Sequence, residues 1–178
     1  METQRGLTLI ELVIAVAIAL VVGGLATSGL SGALESSRAS AARADFIASL
    51  SLAATRAALA GSRAVLCPSM DAEHCSDGPD WSEGWLVFLD ANGSRELEGG
   101  ERILRLQRAL PGRVRLRSTA GRTRIVFQGN GGNVGSNVTF TLCDGRGPAK
   151  ARSLILANFG RLREDAPTAK NAAATCAH

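Results

Sequence analysis

Residues 6–30 read GLTLIELVIAVAIALVVGGLATSGL, and this stretch decides what kind of chain follows. From Leu12 to Leu34 there are 23 residues without a charged side chain. At about 1.5 Å per residue a helix of that length spans roughly 35 Å, enough to cross a bilayer core. Glu11 lies inside the apolar start, where a lone carboxylate costs on the order of 2.5–3.5 kcal/mol and requires a partner. A secretory signal would carry a basic head, a shorter apolar run and a small-residue cut site after it; here the candidate cut lies before the run, at Arg5-Gly6-Leu7. A cut after Gly6 creates an α-amino group at Leu7, one helical turn from Glu11. In a bundle of such helices the amine of one subunit can neutralise the carboxylate of another in low dielectric.

The run Gly6-Leu7-Thr8-Leu9-Ile10-Glu11-Leu12 resembles the type III signal of type IV pilins and type II secretion pseudopilins. The resemblance implies cleavage after Gly6 by a prepilin peptidase, N-methylation of Leu7, and Glu11 as the glutamate used in assembly with other major and minor pilins. Residues 1–6 are then the leader and 7–34 a transmembrane and assembly helix, held in a bacterial inner membrane with a periplasmic head before incorporation into a fibre. Charge does not orient the span, since Arg5 is balanced by Glu2 while Arg38 and Arg43 follow it. Four cysteines, all beyond the span, are compatible with two disulfides and an oxidising compartment such as the periplasm.

Past the span, the pattern stays helical. Phe46, Leu50, Ala53 and Ala57 recur every three to four residues, and Gly61 is a stop, so residues 35–61 read as an amphipathic continuation of a helix running from Leu7 to about Ala60. Residues 62–178 shorten the period. Short strands are expected at 63–67, 84–89, 102–106, 113–117, 122–128, 138–143 and 153–158. Ser118-Thr119-Ala120-Gly121 reads as a hairpin turn between two basic strands, 113–117 and 122–128. The expected fold is α+β: a long N-terminal helix packed on an antiparallel β head of two small sheets. With 178 residues, 46% hydrophobic and 20% charged, the chain can build one packed domain, which excludes a multidomain enzyme.

VLCPS at 65–69, Cys75, Trp81, GWLVFLDANG at 84–93 and GGERILR at 99–105 together resemble the FimT and GspH group of minor pilins and H-type pseudopilins. The resemblance implies a long helix capped by two β-sheets. Of the three possible cysteine connectivities, the expected one joins Cys67 to Cys75 and Cys143 to Cys176.

Charge is uneven. Residues 64–94 hold six acids and no Lys or Arg, whereas residues 95–163 hold fourteen basic residues against four acids, a net of +10. Such asymmetry makes the C-terminal half a candidate surface for a polyanion. Within it, Gly160-Arg161-Leu162-Arg163 matches the C-terminal GRxR that in the FimT branch is associated with DNA uptake in natural transformation. Two arginines one residue apart on extended backbone project to one side, roughly 6–7 Å apart, close to the spacing of successive phosphates. Lys170 and the strand residues Arg113, Arg115, Arg117, Arg122 and Arg124 extend the candidate DNA-binding set. Glu164 and Asp165 follow the motif and oppose its field. No aromatic platform for base stacking stands out, so the expected binding is non-specific and salt-sensitive.

The alternatives are a structural minor pilin that primes or caps fibres without touching DNA, and an H-type pseudopilin of type II secretion. No catalytic motif or cofactor loop is present. Asp90-Ala91-Asn92-Gly93-Ser94 superficially resembles a calcium loop but has Arg95 where glycine is needed. Cys67, His74 and Cys75 lack a fourth zinc ligand at a recognised spacing. No enzyme activity, cofactor or metal is expected.

Overall fold

In the computed structural model residues 8–130, 132–135 and 137–177 are described, with the backbone alone described for 22–29 and 134. Helix α1 runs Leu9–Ala60. The chain divides into two compact units, residues 1–34 and 35–178. Gly61 ends α1 at φ +60°, donating its N–H to Ala58 while Ser62 donates to Ala57. This pair of bonds caps two orphan carbonyls and needs the left-handed backbone that glycine adopts without strain.

In the second unit, the stripe predicted along α1 is buried. Ala39, Ala42, Phe46, Leu50, Ala53 and Ala57 all enter the main core. Alanines let the sheets come close, and Phe46 fills the centre: its ring meets Trp81, Trp85 and Phe140 edge-on, with centroids 4.6–5.7 Å apart. The one buried polar residue of the stripe is satisfied, because Ser49 Oγ accepts from Trp85 Nε1 and donates to the Asp45 carbonyl.

Nine strands follow among the described residues: β1 Arg63–Pro68, β2 Gly84–Asp90, β3 Ile103–Arg108, β4 Arg115–Ser118, β5 Ile125–Phe127, β6 Asn133–Val134, β7 Val138–Cys143, β8 Arg152–Leu156 and β9 Leu162–Asp165. They form two antiparallel sheets, a five-stranded one in the order β3-β2-β1-β5-β6 and a four-stranded one in the order β4-β7-β8-β9. Helix α2, Ala169–Cys176, closes the chain, its first turn capped by Thr168 Oγ1 accepting from Asn171 N–H. Both expected disulfides are present, Cys67–Cys75 and Cys143–Cys176.

The hairpin expected at residues 118–121 does not form. The turn exists, with Arg122 N–H donating to Thr119, but β4 pairs with β7 and β5 pairs with β1 and β6. The chain crosses between sheets there, so the two basic segments do not face each other.

Candidate functional site

Register assigns the faces of the four-stranded sheet. Ser118, Phe140, Leu154 and Glu164 lie opposite one another, and Phe140 and Leu154 are core, so this row faces α1. By alternation, Arg115, Arg117, Thr139, Thr141, Ser153, Ile155, Arg163 and Asp165 occupy the outer face. Glu164 consequently turns inward, and its Oε2 accepts from Arg43 of α1 at 2.6 Å. Of the two acids after the motif, only Asp165 shares a face with Arg163, bonding it at 3.0 Å.

Edge strand β9 joins β8 through a hairpin whose last pair is Leu156 with Leu162. Leu156 is buried and Leu162 packs on the same core, which anchors the hairpin base. The turn is held by Ala157 N–H to the Arg161 carbonyl and Gly160 N–H to the Ala157 carbonyl, both 2.9 Å. Asn133 N–H of β6 donates to the Asn158 carbonyl and ties the tip to the other sheet. Gly160 has φ +76°, the left-handed conformation that closes the turn. Arg161 is exposed and has no ion pair or side-chain hydrogen bond among the described residues, while Arg163 has only the surface pair with Asp165.

The sequence matches the family described as Type II transport protein GspH over residues 42–160, more than half of its 178 residues. The chain belongs to the GspH family. Residues 1–27 match the prokaryotic N-terminal methylation motif. Among curated proteins no relative matches the sequence. Solved structures share the fold. Two crystal structures of the type IV minor pilin FimU of Pseudomonas aeruginosa align with TM-scores of 0.55 and 0.57 at 20% and 19% identity, covering 79% and 80% of this chain and 98% and 94% of theirs. The minor pseudopilin EpsH of the Vibrio cholerae type 2 secretion system aligns with a TM-score of 0.51 at 16% identity, covering 74% of this chain and 98% of its own.

The GspH match ends at Gly160, so Arg161, Arg163, Lys170 and α2 lie beyond it. The other basic candidates scatter. Arg115 and Arg117 share the outer face with Arg163, but Thr141 and Ser153 between them are buried, and α2 packs over β7, where Cys176 is bonded to Cys143. Arg113 lies against Gly145, where an added Cβ would come within 2.7 Å of its Nε, and Arg122 lies beside Gly135. Lys170 is exposed in the first turn of α2. Arg124 is withdrawn from the surface: its side chain is 11% exposed, its guanidinium takes both oxygens of Glu96 and one of Asp77, and it donates to the carbonyls of Cys75 and Ser76. Sequence proximity to Arg122 gave no sign of this, because the partners lie 28 to 49 residues away.

A second basic cluster was not anticipated. Arg43, Arg146, Lys150 and Arg152 line a cavity of about 270 Å³ between α1 and the four-stranded sheet, with Asp144 among them. Burial pushes the Asp144 carboxyl up, but hydrogen bonds from Arg146 outweigh it and hold the carboxyl below its usual range. The Asp90 loop is closed on itself, Asp90 Oδ1 accepting from Gly93 N–H and Oδ2 from Arg95 N–H, and the described residues hold no cluster able to bind a metal ion.

At the other end of the chain, the processing residues Gly6 and Leu7 lie outside the described residues. Glu11 Oε2 accepts from Thr8 N–H and Thr8 Oγ1 at 2.9 and 2.8 Å, which caps the start of α1. Leu9, Ile10, Leu12, Val13 and Ile14 are all more than half exposed. Among the described residues no helix is long and apolar enough to cross a membrane; the uncharged run 12–34 includes residues 22–29, whose side chains are outside the description.

Sequence reading missed one feature of the hairpin. Phe159 directly follows the expected strand 153–158 and is 93% exposed at the tip. The signal that could have found it is the adjacent Gly160, which marks a turn and so places its neighbour outside the strand.

Proposed function

We propose that this GspH-family chain is a minor type IV pilin that joins the pilus through α1 and contacts extracellular DNA non-specifically through the β8–β9 hairpin, in the uptake step of natural transformation. The observation that carries the DNA reading is the pair Arg161 and Arg163: exposed, on an anchored hairpin, with Glu164 turned away to Arg43. Guanidinium groups bind phosphates through paired N–H donors, and a rigid support lowers the ordering cost of each contact. Affinity per subunit is modest, and several subunits on one fibre raise it by avidity.

Assembly rests on the N-terminal motif. A prepilin peptidase cuts after Gly6, Leu7 is methylated, and the freed amine of one subunit meets Glu11 of the next in place of the Thr8 contacts. The apolar side chains exposed along the start of α1 are buried first in the inner membrane and then against other pilins. The chain acts by assembly and binding, without catalysis. An H-type pseudopilin of type II secretion is the second reading, and the GspH match over residues 42–160 favours it.

The test is a fluorescence-anisotropy titration of DNA with the full chain in neutral detergent micelles. Arg161→Ala with Arg163→Ala is expected to lower affinity at least about tenfold while circular dichroism is unchanged. Equal affinity for parent and double variant removes the hairpin from DNA contact. Retained assembly with pseudopilins and no DNA binding by the parent favours the second reading.

A further inference from the structure

The hairpin carries an aromatic ring as well as charge. Its apolar residues Leu156 and Leu162 are turned into the core, whereas Phe159 presents 93% of its surface to solvent two residues before Arg161. A ring in that position is not left over from a loosely held loop. The turn is fixed by Ala157 to Arg161, Gly160 to Ala157 and Asn133 to Asn158 backbone bonds, so the ring stands on a preorganised support in the hairpin that carries Arg161 and Arg163.

We propose that Phe159 is a base-stacking residue, and that the DNA class preferred by this hairpin is single-stranded DNA, including frayed duplex ends. The inference rests on the DNA reading above and specifies its substrate. Arginines alone bind the backbones of duplex and single strand alike. An exposed aromatic adds a surface that only unpaired bases can cover, and every base has a face to offer, so the contact is indifferent to sequence. In an intact duplex the bases already stack on each other, and the ring gains nothing without breaking that stack. The cations explain why a nucleic acid, rather than an apolar protein groove, covers this ring: an apolar partner seated on Phe159 would desolvate Arg161 without giving it a counter-charge.

The experiment uses the full chain in neutral detergent micelles, titrated into a labelled single strand and into the blunt duplex of the same sequence and length. Phe159→Ala is expected to weaken single-strand binding by roughly 5- to 100-fold and duplex binding by less than about twofold. Phe159→Trp is expected to retain single-strand affinity, and its indole emission to fall on adding the single strand. Trp81 and Trp85 are fully buried, so that change reports residue 159. Parent-like single-strand binding by Phe159→Ala overturns the proposal, as does an equal loss on both DNA forms, which marks Phe159 as a support for the turn. A loss confined to association with other pilin subunits also overturns it, in favour of a fibre contact. If the parent binds neither DNA form, the DNA reading itself fails; if it binds both without regard to residue 159, only the stacking role does.

Discussion

Arg124 and Arg161 are the same residue type in the same basic half of the chain, and the fold uses them in opposite ways. Arg124 is enclosed by Glu96, Asp77 and the carbonyls of Cys75, Ser76 and Thr123, so its charge holds the segment 75–96 against the start of β5. Arg161 stands on a turn with no acidic partner among the described residues. A count of arginines along the sequence therefore overstates the charge open to a polyanion. What matters is whether the topology brings an acid to each one.

Opening the tail would sharpen this contrast most. The Cys143–Cys176 bond closes a 33-residue separation and fastens α2 on the outer face between the β4 arginines and Arg163. Cys143→Ser with Cys176→Ser is expected to cost about 3–4 kcal/mol in urea unfolding and, by uncovering that face, to raise DNA affinity. Unchanged affinity with the stability loss would mean that Arg115 and Arg117 play no part even when uncovered. Next in size is Arg124→Ala, which leaves carbonyls and carboxylates unpaired and should cost about 2–3 kcal/mol in the same measurement, with DNA affinity equal to the parent. A DNA defect without a stability defect would erase the distinction between the two arginines.

On the hairpin, Asp165→Ala removes the carboxylate on Arg163. Exposed pairs contribute roughly 0.2–1 kcal/mol, so affinity for DNA should rise about 1.5- to 5-fold in anisotropy titrations. Glu164→Ala acts differently: it frees Arg43 on the α1 side and should leave binding close to the parent.

The smallest effect belongs to the acidic loop. Asp71 Oδ2 bonds His74 Nδ1 at 2.8 Å, which raises the His74 pKa above its ordinary value, and hydrogen bonds from the Glu73 and His74 backbone and the His74 ring hold the Asp71 carboxyl well below its own. Because the folded His74 pKa is raised, its contribution is complete below the unfolded pKa and is lost as pH rises through the folded one. Asp71 works in reverse, contributing above its unfolded pKa and losing that as pH falls through the folded one. An NMR titration of the His74 ring should give a midpoint above the ordinary histidine value, returning toward it in Asp71→Asn.

The helix was legible because its evidence is local: a three-to-four-residue stripe around Phe46 and a glycine at 61 able to adopt φ +60°. Most strands were legible for the same reason. Strand β9 was not anticipated as a strand in its own right because LRED has one apolar side chain, and its edge position is set by backbone pairing with β8. The turn at 118–121 misled because a tight turn looks the same locally whether it joins two paired strands or passes the chain between sheets. Helix α2 lies in an Ala-rich tail whose burial depends on a disulfide to β7. At the site, Arg161 and Arg163 could be read from the GRLR spacing. The inward turn of Glu164 and the exposure of Phe159 required the register and the hairpin.

If the hairpin arginines neutralise DNA phosphates as proposed, the salt dependence of binding counts the phosphates they neutralise. Plotting log affinity for duplex DNA against log salt, the double variant Arg161→Ala with Arg163→Ala should have a slope shallower than the parent's by about 1.8, corresponding to two fewer phosphates neutralised. Parallel lines for parent and variant would contradict it.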